Sequence, residues 1–148
     1  MKKFVLAAVL LLGFAVSAGA AGDHATPDEA KAMAIKAAAY LKANGEEKAF
    51  AAFKDPAGGF RDRDLYVVVQ GLDGTMKFHP ILPAMIGKSL IDLRDVDGKL
   101  FVHDIVAIKD AGWVEFKWQD PVSKSVAPKK SYFIRVGDDL VGVGAYAK

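Results

Sequence analysis

The sequence predicts an α+β fold in which a long N-terminal helix lies beside a central antiparallel sheet of about five strands. Three observations carry this expectation. Helical spacing of apolar residues is strongest near the start. Short alternating runs rich in β-branched and aromatic residues dominate after residue 64, and closely spaced turn signals separate them.

The first helix announces itself at Thr26-Pro27-Asp28-Glu29, a capping box with proline at the first helical position. Ala30, Met33, Ala34, Ala37, Ala38 and Leu41 then form one stripe. Its residues are small, so the helix is expected to lie close against a flat surface, a sheet. Asn44-Gly45 breaks it, and Asn44 with Glu47 predicts the cap of a short second helix carrying Phe50 and Phe53.

Leu65 to Gln70 and Thr75 to His79 read as a hairpin over Leu72-Asp73-Gly74. Residues 80 to 98 read as loop, punctuated by Pro80, Pro83, Gly87 and Asp97-Gly98. Leu100 to Ala111 predicts a helix with Phe101, Ile105 and Ile108 on one face. Three strands follow, Trp113 to Trp118, Lys129 to Val136 and Leu140 to Tyr146, the last two joined by Gly137-Asp138-Asp139.

Ahead of all this, residues 1–20 read as a secretory signal. Lys2 and Lys3 precede an apolar run from Phe4 to Val16, and Ala18-Gly19-Ala20 is a small-residue cleavage site. The run is short for a membrane span. The chain has 148 residues, with 20 basic and 18 acidic side chains. Without residues 1–20 it is one domain, residues 21–148, whose two charge counts are equal. Such a domain has no electrostatic pull toward nucleic acid. With no cysteine, a disulfide scaffold, a thiolate metal site, a thiol nucleophile and a lipoprotein anchor are excluded. The expected location is the periplasm, with no membrane insertion after the signal is removed.

No hydrolase elbow, zinc-protease helix or phosphate loop is present, and the expectation is a non-enzyme without cofactor or metal. Asp95-x-Asp97-Gly98 resembles part of a calcium loop, but Leu93 stands where the first oxygen ligand belongs, so it reads as a turn. The ligand-binding candidates are Lys130, Tyr66, His79, Trp118, Phe116 and Tyr132. Alternation puts Lys130 on one strand face with Tyr132, Ile134 and Val136, opposite Lys129, Ser131, Phe133 and Arg135. A lysine on an apolar face needs an anion or a route to solvent. Both readings stay open at this point. Val114, Phe116 and Trp118 share a face, and Trp118 has one N–H to donate. Tyr66 lies in an apolar strand and needs a partner for its hydroxyl, while His79 is held extended by Pro80. Gly142 and Gly144 alternate on the last strand, which predicts close approach of a helix.

With these residues laid out, the chain resembles the single Cache domains of bacterial periplasmic sensing proteins. The matching segments are Phe60 with Asp64-Leu65-Tyr66-Val67, His79-Pro80, Ile86-Gly87-Lys88, Asp92-Leu93 with Asp95, and Asp97-Gly98-Lys99. Gly112-Trp113-Val114, Trp118, Asp120-Pro121, Lys130-Ser131-Tyr132 and Val141-Gly142-Val143-Gly144 with Tyr146 complete the set. The resemblance implies a PAS-like fold with a pocket over the sheet. It further implies small organic acids such as acetate, propionate, pyruvate or lactate as ligands, and a pocket lining that includes Tyr66, His79, Trp118 and Lys130. Phe116 stands where related sequences carry tyrosine, and the 81–85 loop is more apolar than theirs. The expected product is a stand-alone binding module. The alternative is an interaction subunit, docked on a membrane-bound sensor or transporter, with a vestigial pocket.

Overall fold

The computed structural model describes residues 22–147, so the expected leader lies outside the described residues. Helix α1 (Pro27–Asn44) begins as its sequence predicts, with the Thr26 side chain accepting from the Glu29 amide and Glu29 reaching back to the Thr26 backbone. Such a cap contributes about 0.5–2 kcal/mol. Its buried residues are Ala30, Ala34, Ala37, Ala38 and Leu41. Helix α2 (Glu46–Lys54) follows after Gly45, which stands at its N-cap with φ of 80°. That positive φ explains the glycine. Asn44, expected to cap α2, instead donates back to the Tyr40 carbonyl. Phe53 of α2 is fully buried against Phe60, Tyr40 and Phe78.

The sheet comprises β1 (Arg61–Asp62), β2 (Leu65–Gly71), β3 (Met76–Phe78), β4 (Ala111–Gln119), β5 (Val126–Val136) and β6 (Asp139–Tyr146). Their order is β1-β2-β6-β5-β4, all antiparallel, with β3 also paired to β2. The extra strand beyond the expected five is the two-residue β1. Helix α3 (Phe101–Val106) starts where expected but ends earlier, because the chain turns at residues 109–110 and enters β4 at Ala111.

Both faces of the sheet are covered. On one, α1 packs over β5 and β6 and reaches β2, burying Val67, Val69, Val141, Val143 and Ala145. On the other, α3 and the 81–100 connection cover Val114, Phe133 and Leu140. The Asp95 turn braces the sheet. Asp95 accepts from the amides of Asp97 and Lys99, and its second oxygen accepts from the Lys117 amide of β4. Lys99 also donates to the Glu115 carbonyl. The outer edge of β4 is thereby occupied, which blunts an edge otherwise open to strand addition.

The lead-in to α1 is hooked to the residue that follows β4. His24 Nε2 lies 2.6 Å from Asp120 Oδ2. The hydrogen bond to Asp120 raises the His24 pKa against the opposing effect of burial. Burial works to raise that of Asp120, but bonds from His24 and the Val122 amide outweigh it and leave it lowered. The signs define a window. The His24 contribution is complete below its ordinary value of 6.5 and is lost as pH rises through the raised folded value. The Asp120 contribution holds above 3.8 and fades as pH falls through the lowered one. The melting temperature of His24→Gln is therefore expected to lie furthest below that of the parent near about pH 5 and to converge with it as pH rises through the raised His24 value. A constant gap across that range would remove the ion pair from the account.

Candidate functional site

Three strands of the sheet aim side chains away from α1 into one cavity. Alternation in β2 points Tyr66, Val68 and Gln70 there, β5 points Lys129, Ser131 and Phe133, and β6 supplies Gly142 and Gly144. Phe116 and Trp118 of β4, His79 beyond β3, Met85 and the α3 residues Phe101, Val102 and Ile105 complete the wall. The cavity volume is about 40 Å³. At about 10–15 Å³ per water centre, that is room for a few waters or one short organic acid.

The two glycines make this space possible, though not by admitting a helix as the sequence suggested. A Cβ on Gly142 would overlap the Phe133 ring, and one on Gly144 would overlap Ser131 Oγ and meet Lys129 Cε at 2.5 Å. The helix occupies the other face. What the glycines admit is the lysine and its neighbours, folded across β6.

Lys129 is the charged group of the cavity, and it is 6% exposed. Its Nζ donates to Tyr66 Oη at 2.9 Å and lies 4.1 Å from the Tyr66 ring centroid and 4.9 Å from that of Tyr146. Among the described residues it has no carboxylate partner; the lysine ion pairs belong to Lys77, Lys99, Lys117 and Lys130. Tyr146 Oη donates to the Gln119 carbonyl at 2.7 Å, so the 3.2 Å bond between the phenols takes its proton from Tyr66. The chain of donors thus runs from Lys129 through Tyr66 and Tyr146 to Gln119. Tyr66 spends its only proton inside the protein and serves to orient the ammonium.

His79 is 4% exposed. Its Nδ1 accepts from the amides of Ile81 and Leu82 at 3.2 and 3.0 Å, which leaves the proton of the neutral ring on Nε2. Burial, helped by the Lys129 charge, pushes its pKa down to about 4. Nε2 is a neutral donor with no partner among the described residues. Because the unfolded chain binds this proton first, stability is expected to fall from about pH 6.5 to about pH 4, by at most about 3 kcal/mol. Asparagine can imitate the Nδ1 acceptor without titrating. An acid limb as steep in His79→Asn as in the parent would contradict the assignment.

The sequence-predicted residues divide. Tyr66, His79, Phe116 and Trp118 line the cavity, with Phe116 stacked on Phe101 at 4.1 Å and Trp118 edge-on to both. Lys130 and Tyr132 do not. They lie on the helix side of β5, where Tyr132 packs against Trp113 and the α1 core. The Lys130 stem runs out past Trp113, and its 44% exposed side chain ends 3.5 Å from Glu115. Solvent access, the bland option for a lysine on an apolar face, is what the structure shows. Lys130 does border a broad outer groove of about 620 Å³. That groove balances its own charge: Lys117 pairs with Asp97 at 2.8 Å, and Lys130 faces Glu115. The residues missed from sequence were Lys129, Ser131 and Gln70. For Lys129 and Ser131 the signal was the pair of glycines opposite β5; Gln70 had none.

Comparison with known proteins agrees with this architecture. The Single Cache domain 2 family model matches residues 15–148. The sensor histidine kinase MctS of Rhizobium johnstonii is 31% identical over 88 residues, 57% of this chain and 19% of that kinase. The chain thus spans about a fifth of that relative's length. A methyl-accepting chemotaxis protein from Vibrio parahaemolyticus superimposes with a TM-score of 0.69 at 23% identity, covering 80% of this chain and 86% of that one. A Cache chemosensory domain described for its carboxylic acid recognition has a TM-score of 0.62 at 22% identity, covering 82% and 88%. With a family match over nearly its whole length and the same helix-backed antiparallel sheet, the chain belongs to the single Cache domain 2 family.

Proposed function

We propose that this domain is an extracytoplasmic, sensor-type binding module for a small monocarboxylate, and that it is not an enzyme. The carrying observation is the Lys129 ammonium, buried without an anionic partner among the described residues in a cavity sized for a short acid. Buried charges are paired in stable proteins, so the missing partner is the ligand. Its carboxylate would accept from Lys129, whose ammonium has two further protons, and from His79 Nε2. Phe116 and Trp118 would exclude water around these bonds. Each charge-assisted contact contributes about 1.5–3 kcal/mol, so a few suffice for roughly micromolar affinity.

Two relatives support this reading, the sensor kinase and the Cache domain described for carboxylic acid recognition. No helix among the described residues is long and apolar enough to cross a membrane. A partner that reads the bound state, a membrane sensor or transporter, belongs to the proposal. The test is a thermal-shift screen of the protein lacking residues 1–20 against two- to four-carbon acids. A ligand at about a hundred times its Kd should stabilise by about 2.7 kcal/mol. No shift with any acid at millimolar concentration would overturn the proposal.

A further inference from the structure

Beyond the carboxylate end, the cavity has a second polar feature that an unsubstituted acid would leave unused. Gln70 is 2% exposed and lines the cavity on the same face of β2 as Tyr66 and Val68. Its Nε2 donates to the Gly74 carbonyl at 3.2 Å, which fixes the orientation of the amide. The Oε1 atom accepts no hydrogen bond among the described residues. No buried side-chain nitrogen or oxygen there is sealed off without a partner, so this oxygen opens onto the cavity.

We propose that this end of the cavity is a hydroxyl-binding subsite, and that the ligand is a short acid carrying a hydroxyl group away from its carboxylate. The inference rests on the carboxylate reading above and adds the chemistry of the other end. Gln70 faces Met76 and Leu140 across the strands, both apolar. A water at Oε1 would find few of the two to four partners it needs. An acceptor without a donor is costly when buried. A hydroxyl tethered to the ligand supplies the donor. A second carboxylate at this end would set like partial charges together, and an amine would bring an ion into an apolar surround.

Spacing sets the length. Gln70 is four residues from Tyr66, about 14 Å along an antiparallel strand. A carboxylate and a hydroxyl joined through three methylenes are about 6 Å apart, and a hydrogen bond of about 2.8 Å at each end brings the span to about 12 Å.

The experiment is calorimetric titration of the purified protein with butyrate, 4-hydroxybutyrate and succinate. The expected order is 4-hydroxybutyrate at least about tenfold tighter than butyrate, the span of one net hydrogen bond of about 1.4 kcal/mol, with succinate weakest. In Gln70→Leu the preference should vanish or reverse, and Gln70→Met repeats the test should the leucine variant fail to fold. Equal affinity for butyrate and 4-hydroxybutyrate in the parent protein overturns the hydroxyl subsite and leaves the carboxylate site standing. Absence of binding by all three acids overturns both.

Discussion

Lys129→Met is expected to lose the thermal stabilisation by short carboxylates while leaving the unliganded protein at least as stable as the parent. Methionine keeps most of the volume under the Tyr66 and Tyr146 rings and removes the ammonium. Losing one charge-assisted bond of about 1.5–3 kcal/mol weakens binding about 10- to 100-fold. The free protein, meanwhile, no longer shelters an unpaired charge, and exchanging such a group for a hydrophobe is neutral or stabilising. That opposite response of free and bound states separates a ligand contact from a structural one. Lys130→Met is the control, because its ammonium ends in solvent beside Glu115. It should respond to acids as the parent does. A Lys129→Met protein with the parent's response, or a Lys130→Met protein without one, would move the site off this cavity.

The largest loss of stability is expected from Asp64→Ala. The Asp64 carboxylate is fully buried. It accepts from the Ala25 amide at 2.6 Å and the Tyr146 amide at 3.0 Å, tying the lead-in of α1 to the end of β6. Alanine strands both donors away from water, at about 1–3 kcal/mol each, a large share of the roughly 5–15 kcal/mol that holds a domain folded. Asparagine retains an acceptor and should recover about half. Urea unfolding reads the effect: the midpoint should fall with an unchanged slope. A loss under about 1 kcal/mol would mean that water reaches these amides after all. Tyr146 also belongs to the phenol pair that orients Lys129, so Asp64→Asn should weaken acid binding more than its effect on folding alone explains.

How much of this was legible in the sequence differs from element to element. The Thr26 box specified the start of α1 because its atoms are three residues apart and close locally. The α2 cap falls elsewhere because Asn44 still belongs to α1, its amide donating to the Tyr40 carbonyl one turn behind, while Gly45 with φ of 80° takes the N-cap position. The end of α3 was overextended because apolar residues at 105 and 108 fit a helix, yet the chain had to enter β4 at Ala111. For the site, Tyr66, His79, Phe116 and Trp118 were found as residue types needing partners or walls. Lys129 carries no such signal, because it shares its face with Ser131 and Arg135, where a lysine is no anomaly. The partner of Asp64 lies 82 residues away, and no local pattern signals it.

Strand alternation and helix periodicity determined by themselves that this chain forms a small-residue helix on an antiparallel sheet, and which side chains of each strand share a face. Only the tertiary structure decided which face of β5 looks into the cavity. The reason is that alternation is symmetric between the two sides of a strand. Where one side alone is dry, polarity breaks that symmetry. Here α1 covers one side and α3 with its loop covers the other, and a buried lysine can stand among polar neighbours as readily as an exposed one stands among apolar ones.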